Sequence, residues 1–148
     1  MKLIIEENPD WEETEIRIRC AMMTPELNSL VSLIRLHTFA VEAKKDGETF
    51  YLHLEDICYF ETVDGRGFAY TDHHVYELTQ KLTQLEPELS HTNFLRVSRT
   101  VILNVTKLKS VKSLINGRML ATLENGEQLI INRSYVGALK KKLQQGRW

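Results

Sequence analysis

Four Asx-Gly dipeptides constrain the fold of this chain more than any other feature of its sequence. They are Asp46-Gly47, Asp64-Gly65, Asn116-Gly117 and Asn125-Gly126. Each pair can supply the positive φ angles that a type I′ turn requires, and most of them lie between apolar, β-rich runs. Residues 41–54 therefore predict one hairpin, residues 57–78 two or three strands with a longer loop from Val63 to Gly67, and residues 113–132 a three-stranded meander. The pattern predicts a mostly β, antiparallel fold with few helices.

Two helices are predicted before the basic half of the chain. The first has Thr24 as its N-cap and Pro25 at its first position. Its buried face follows the i, i+3, i+4, i+7 spacing and consists of Leu27, Leu30, Val31 and Ile34. A short second helix around Thr79–Leu85 should end before Pro87, because proline has no N–H to donate within a helix.

The last helix is expected to begin near Asn132 or Ser134. Its apolar stripe consists of Tyr135, Leu139 and Leu143. Three consecutive lysines lie near its negatively polarised end, which favours cations: Lys140, Lys141 and Lys142. We therefore interpret these lysines as a solvated helix terminus and not as a ligand site.

Residues 1–38 are predicted to form a small α/β extension of a main domain at 39–148. The extension would consist of a strand pair, Leu3–Ile5 with Ile16–Cys20, followed by the first helix. No Gly/Ser linker separates it from the main domain, so we expect it to pack there.

Charge is strongly segregated along the chain. Residues 1–88 contain 18 acidic and 8 basic residues, a net charge of −10, whereas residues 89–148 contain 2 acidic and 11 basic residues, a net charge of +9. Their sum is the overall charge of −1. This asymmetry favours a face that binds a polyanion. The alternative is a basic patch that contacts the acidic half of the same protein.

Several classes of protein are disfavoured. Cys20 and Cys58 are isolated, no histidine has metal-ligand spacing, and no cofactor motif is present, so we expect a reduced, cytosolic protein with no metal and no cofactor. No apolar run is long enough to span a bilayer. The helices are too few and too widely separated for a helix-turn-helix, and the basic strands lack the aromatic residues that stack single-stranded bases.

The basic segment 93–118 is predicted to form strands from which arginine and lysine side chains project. Alternation of apolar and polar residues breaks near Arg99, which places this arginine at a strand end or in a turn. Lys107, Lys109 and Lys112 lie among aliphatic residues further on. They can neutralise phosphates of duplex DNA, or they can simply protect an exposed strand from aggregation.

Residues 39–143 resemble the LytTR DNA-binding domain, the LytR/AlgR-type output module of bacterial transcription regulators. Six motifs occur in order: FLRVSR, an Asn, KLKS, NGR, NGE, and RSYV before a helix. The resemblance implies an elongated fold of β-sheets that lies along duplex DNA. Its loops would enter successive major grooves of a paired-repeat site, which two copies of the protein would bind.

The resemblance also implies which residues contact DNA. Base contacts would come from three segments, Gly65-Arg66-Gly67, Ser98-Arg99-Thr100 and Asn132-Arg133-Ser134. The phosphate contacts would be Arg96, Lys107, Lys109 and Lys112. At the strand–helix junction the family often has two arginines. Here the second of them is replaced by Ser134, which weakens one base contact. Asn104 also matches the family, although a buried, turn-making role explains it better.

Members of this family commonly carry an N-terminal phosphoacceptor domain, and residues 1–38 are too few to form one. The resemblance therefore implies a stand-alone regulator, of a kind that a membrane protein can sequester. The N-terminal extension would serve dimerisation, bind that partner, or cover a sheet edge.

Two other classes of function are weighed against DNA binding. An enzyme would need clustered catalytic groups, and the acids near an aromatic strand, such as Glu61, together with His53 offer only weak candidates. A protein-interaction module that docks its basic face on an acidic partner is the stronger alternative. Loss of DNA-sequence preference in a folded Arg99→Ala, Arg133→Ala variant would favour DNA reading over docking.

Overall fold

A computed structural model describes residues 1–90 and 92–145, except for the side chain of Leu36. Residue 91 and the last three residues of the predicted 39–148 domain lie outside the described residues. The described chain contains ten strands and three α-helices, and all strand pairs are antiparallel. The predicted mostly β, antiparallel fold is confirmed.

Seven strands form the larger sheet, in the spatial order β2-β1-β5-β4-β3-β7-β6. They are β1 (Ala40–Lys45), β2 (Glu48–His53), β3 (Tyr59–Val63), β4 (Arg66–Tyr70), β5 (Val75–Leu78), β6 (Phe94–Arg96) and β7 (Val101–Asn104). A second sheet has the order β10-β9-β8 and consists of β8 (Leu108–Ser113), β9 (Met119–Leu123) and β10 (Gln128–Ile131). The helices are α1 (Pro25–Thr38), α2 (Leu82–Leu89) and α3 (Arg133–Gln144).

The larger sheet has an apolar core on each face. Alternation along β3 and β7 divides their side chains between these cores, with Phe60 on one side and Tyr59 on the other. One core packs against α2, and the other against the second sheet and α3. Asn104 links two loops beneath the second core: its amide donates to Ile57 O at 2.9 Å, and its Oδ1 accepts from the Thr106 N–H at 3.1 Å. The buried, turn-making role of Asn104 is confirmed.

Three of the four Asx-Gly pairs form type I′ turns, with both central residues at positive φ. They are Asp46-Gly47, Asp64-Gly65 and Asn116-Gly117. At the fourth pair only Gly126 has a positive φ, of 90°. There the Asn125 side chain accepts a hydrogen bond from the Glu127 N–H at 3.0 Å, so a longer turn with a single left-handed glycine replaces the expected one.

The predicted loop from Val63 to Gly67 is wrong. Val63 pairs with Arg66 across β3 and β4, so only Asp64 and Gly65 connect the strands. The type I′ geometry closes the hairpin in two residues, and further loop residues are not needed. Arg66 therefore lies on a strand, next to a tight turn.

The helix predictions are partly confirmed. Thr24 caps α1 by accepting from the Leu27 N–H at 3.2 Å, and α3 begins after Asn132 as expected. Pro87, however, lies inside α2. Proline removes a single hydrogen bond near the end of this helix, and burial of Leu82, Leu85 and Leu89 outweighs that loss.

The N-terminal strand pair is also wrong: residues 1–24 contain no strand, and their side chains are exposed. An isolated two-stranded hairpin is marginal in water, and no sheet edge of the described chain pairs with this segment. The helix α1 does approach the domain, since Arg35 Nη1 donates to Glu88 O at 3.3 Å and Leu27 is buried. The division of the chain at residue 38 stays a prediction.

Candidate nucleic-acid interface

Turns from both sheets meet at one edge of the molecule. The Thr62 N–H, just before the β3–β4 turn, donates to Thr100 O at 2.8 Å. The Asn132 N–H, just before α3, donates to Val97 O at 3.0 Å. These two backbone hydrogen bonds place residues 97–100, which connect β6 to β7, between the β3–β4 turn and the start of α3. The edge therefore brings together the three segments predicted to contact bases.

The turn at 97–100 is ordered by side chains. Ser98 Oγ accepts from the Thr100 N–H at 3.2 Å and from the Val101 N–H at 3.1 Å. Arg96 Nη1 donates to Ser98 O at 3.2 Å and to Arg99 O at 2.7 Å. The Arg99 side chain is exposed and has no hydrogen bond or ion pair within residues 1–90 and 92–145. Arg99 is therefore a free cation on a fixed turn.

Arg96 forms an ion pair with Glu86 of α2. Its Nε and Nη2 donate to the two carboxylate oxygens, each at 2.8 Å. These hydrogen bonds hold the pKa of the Glu86 carboxyl below its ordinary value. The charge of Arg96 is already balanced within the protein, so this residue differs from the other predicted phosphate contacts. Its predicted role on phosphate stays a prediction.

The junction between β10 and α3 presents three exposed residues, Asn132, Arg133 and Ser134. The stem of Arg133 lies over the Asn116-Gly117 turn, because a Cβ on Gly117 would be only 3.1 Å from Arg133 Cγ. This side of α3 is also its N-terminus, where unpaired N–H groups and the helix dipole attract anions. The β8–β9 turn and the helix start therefore support Arg133 together.

A shallow groove runs between the 97–100 turn and β10. Its lining residues are Glu61, Ser98, Arg99, Thr100, Val101, Gln128, Leu129, Ile130 and Asn132. Glu61 accepts a hydrogen bond from the Tyr70 hydroxyl at 3.0 Å. Burial and this hydrogen bond raise the pKa of Tyr70 to about 12, so its hydroxyl stays protonated and remains a donor near neutral pH.

Arg66 lies on the same edge, but its guanidinium is already paired with a carboxylate of the protein. Its Nε and Nη2 donate to the Glu77 carboxylate at 2.7 and 2.6 Å. The Arg66 side chain is 63% exposed, whereas that of Arg96 is 22% exposed. The Arg66–Glu77 pair is therefore open to solvent, and an external anion can compete for Arg66 at little cost.

The three predicted lysines run away from this edge along the second sheet. Lys107 precedes β8, Lys109 lies at an irregularity of that strand, and Lys112 is exposed opposite Leu120. At ~3.3 Å per strand residue, Lys107 and Lys112 are roughly 16 Å apart. One other lysine prediction needs correction: Lys142 is half-buried and donates to Thr92 O at 2.9 Å, and burial lowers its pKa.

Some residues of the interface were not found from the sequence. Glu86 and Glu77, which hold two of its arginines, lie 10 and 11 residues from their partners on separate elements. Gln128 and Ile130 line the groove only because β10 packs beside the 97–100 turn. No spacing in the sequence indicates these neighbours, because they depend on the packing of the two sheets.

Within the described ranges, no group of three or more His, Cys, Asp or Glu residues could hold a metal ion. None of the helices in this part of the chain is long and apolar enough to cross a membrane. What the edge offers instead is exposed Arg99 on a turn and exposed Arg133 at a helix start, with lysines on and just before β8. This arrangement defines a nucleic-acid-binding β module.

The family follows from direct comparison. The model of the LytTr DNA-binding domain matches residues 47–144, so the chain belongs to the LytTR family. The resemblance inferred from the motifs is confirmed. LytTR is a family of DNA-binding domains and not a class of enzymes.

Similar proteins include regulators of several bacteria. The sensory transduction protein LytT of Enterococcus faecalis is 31% identical over 105 residues, which cover 70% of this chain and 43% of that protein. The transcriptional regulatory protein LytR of Staphylococcus aureus (strain N315) is 29% identical over 98 residues, which cover 66% of this chain and 40% of that protein. The chain thus spans about two fifths of the length of these relatives.

A solved LytTr DNA-binding domain from Bacillus cereus has the same fold. Its TM-score is 0.64 at 21% sequence identity, over 70% of this chain and 95% of that domain. At this identity the comparison supports the architecture of the sheets and not the role of any one residue.

Proposed function

We propose that this chain is a sequence-specific, double-stranded DNA-binding transcription regulator. One observation carries the proposal: two backbone hydrogen bonds align the β3–β4 turn, the 97–100 turn and the start of α3 on a single edge. Turns that project from a rigid β framework can reach base edges in a groove while strands beside them follow the backbone. The regulators among the relatives are consistent with this function.

Arg99 and Arg133 are the principal base contacts in this proposal. An arginine can donate two hydrogen bonds to guanine O6 and N7, which gives about 1–3 kcal/mol of discrimination against the wrong base. Both side chains are exposed and supported by a turn. Asn132 and Ser134 would add hydrogen bonds beside Arg133. Arg66 would contribute once DNA displaces Glu77.

Lys107, Lys109 and Lys112 are proposed to contact phosphates. Lys109 and Lys112 lie on β8 and Lys107 lies just before it, away from the proposed base contacts, so they would affect salt dependence more than the choice of sequence. We further propose that two copies bind a paired-repeat site. A membrane-protein regulator, which the family resemblance implies, stays a prediction.

The test is selection of sites from a random duplex pool, followed by fluorescence anisotropy across a salt series. We expect a paired repeat to be enriched, and log K to fall linearly with log salt with a slope of about −0.9 per phosphate contacted. Duplexes with one and two repeats would then be compared by analytical ultracentrifugation. Two copies should bind only the duplex with two repeats.

The base contacts are tested with an Arg99→Ala, Arg133→Ala variant. It should remain folded and lose preference for the selected site. Arg19→Ala is the control, since it removes an exposed arginine from residues 1–24. Unchanged preference in the double variant would reject the assignment of these two arginines. A steep salt slope without any enriched site would favour the alternative, a basic docking face for an acidic protein.

A further inference from the structure

The guanidinium of Arg96 joins three parts of the molecule. It makes four hydrogen bonds, two to the Glu86 carboxylate of α2 and one each to the carbonyls of Ser98 and Arg99. Arg96 itself is the last residue of β6. A single side chain therefore ties the end of a strand to a helix and to the turn that carries a proposed base contact.

These hydrogen bonds act on the two peptide groups that flank Arg99. The Ser98 carbonyl belongs to the peptide before Arg99, and the Arg99 carbonyl belongs to the peptide after it. Because each peptide group is planar, holding both of them fixes the φ and ψ angles of Arg99 and so the direction of its Cα–Cβ bond. The Ser98 hydroxyl holds the next two amides of the same turn.

We propose that Arg96 and Glu86 are positioning residues for sequence recognition and that Arg96 does not contact phosphate. The inference rests on the proposed function, and it names the two residues that position one of the proposed base contacts, Arg99. Glu86 holds the guanidinium plane by a two-pronged ion pair, and this plane in turn holds the Arg99 backbone. Four of the five guanidinium N–H groups are already used, so a bidentate phosphate contact would break hydrogen bonds to Glu86 or to the turn.

The two roles make opposite predictions for Glu86→Gln. This substitution removes a negative charge near the interface, so electrostatics alone would raise DNA affinity. A freed Arg96 on a phosphate would also steepen the salt slope by up to about 0.9. If Glu86 positions the turn, affinity for the selected site should instead fall roughly 5- to 150-fold, the range that one arginine–guanine contact can supply. Binding to random duplex should not fall.

Arg96→Lys provides the second test, because it keeps the charge and loses the planar fork. We expect the same loss of affinity for the selected site, with an unchanged salt slope. Glu88→Gln is the control: it removes the same charge from an exposed residue of the same helix that does not contact Arg96. Glu86→Gln binding the selected site as tightly as Glu88→Gln would overturn the proposal.

Hydrogen exchange separates this proposal from a failure of the proposed function. The Thr100 and Val101 amides, which Ser98 Oγ protects, should exchange faster in Glu86→Gln while amides in β3 stay protected. Unchanged exchange at both amides would overturn the positioning role. A wild-type chain that selects no site would overturn the proposed function and the recognition role, and the exchange rates would still show whether the pair holds the turn.

Discussion

The β3–β4 turn and the 97–100 turn lie side by side on one edge, and they are built differently. The first is shaped by its backbone, with Asp64 at φ 50° and Gly65 at φ 76°. The second is shaped by side chains, the Ser98 hydroxyl and the Arg96 guanidinium. The arginines at the two turns also differ in their partners. Arg66 is paired with Glu77, whereas the structure records no partner for Arg99 among the described residues.

The difference shows what each turn can tolerate. A backbone turn depends on residues that accept positive φ, and its side chains remain available for other partners. A side-chain turn depends on particular hydroxyl and guanidinium groups, whose loss alters the loop without altering the fold. We therefore expect the proposed base contact of Arg99 to be more sensitive to its neighbours than that of Arg66.

The largest effect is expected from Gly117→Ala, with Gly65→Ala as its matched partner. Both glycines have nearly the same φ, 75° and 76°, so each substitution should cost about 1–2 kcal/mol of backbone strain. A Cβ at residue 65 meets nothing within 4 Å, whereas one at residue 117 approaches Arg133. Gly117→Ala should therefore lower the free energy of unfolding by roughly 0.5–1.5 kcal/mol more, the cost of moving a side chain off its rotamer.

The same pair of variants tests the support of Arg133. Urea denaturation gives the two stabilities, and anisotropy on the selected duplex gives the two affinities. Gly117→Ala should weaken specific binding more than Gly65→Ala does. Equal affinities would show that the Asn116-Gly117 turn does not position Arg133.

An intermediate effect is expected from Ser98→Ala. The substitution removes the acceptor of two amides, and water can replace it at the exposed Thr100, so the loss of stability should be about 1 kcal/mol. Asp64→Asn is the comparison in the backbone turn, since asparagine also tolerates a positive φ. It should change stability by less than about 0.5 kcal/mol. A Ser98→Ala protein as stable as Asp64→Asn would contradict the side-chain origin of the 97–100 turn.

The same contrast explains what could be predicted from the sequence. Asx-Gly pairs determine local backbone geometry, so the hairpins were predictable, and the break in alternation near Arg99 indicated its place at a strand end or in a turn. The exact length of the Val63–Gly67 connection and the course of α2 through Pro87 were not, because register and burial decided them. Strands were expected at Leu3–Ile5 and Ile16–Cys20, but a strand needs a partner that this segment lacks among the described residues.

The candidate site divides in the same way. Arginines on turns were predictable from motifs, but the carboxylates that hold Arg96 and Arg66 were not. Each carboxylate lies on another element, and only tertiary packing brings it within hydrogen-bond distance. An arginine in a basic run is therefore not free merely because its sequence neighbours carry no acid.

The smallest expected effect is on the pH dependence of stability, which should differ between the Glu86–Arg96 and Glu77–Arg66 ion pairs. Hydrogen bonds from arginine lower the pKa of both Glu86 and Glu77 from the ordinary value of 4.5. A carboxyl group with a lowered pKa in the folded state stabilises the protein above its unfolded pKa, and this contribution is lost as the pH falls through the folded value. At pH 7, Glu86→Gln should therefore have a lower urea midpoint than wild type, and the two midpoints should converge as the pH falls below 4.5 and through the lowered pKa of Glu86.

Glu77→Gln should show the same convergence with a smaller difference at pH 7. Its ion pair is more exposed on the arginine side, and solvent and salt screen it more strongly. Repeating the titration in high salt sharpens the contrast, since the difference for Glu77→Gln should disappear first. Equal differences for the two variants at pH 7 and in high salt would mean that Arg96 and Arg66 are held equally, and the distinction between the two turns would then rest on Ser98 alone.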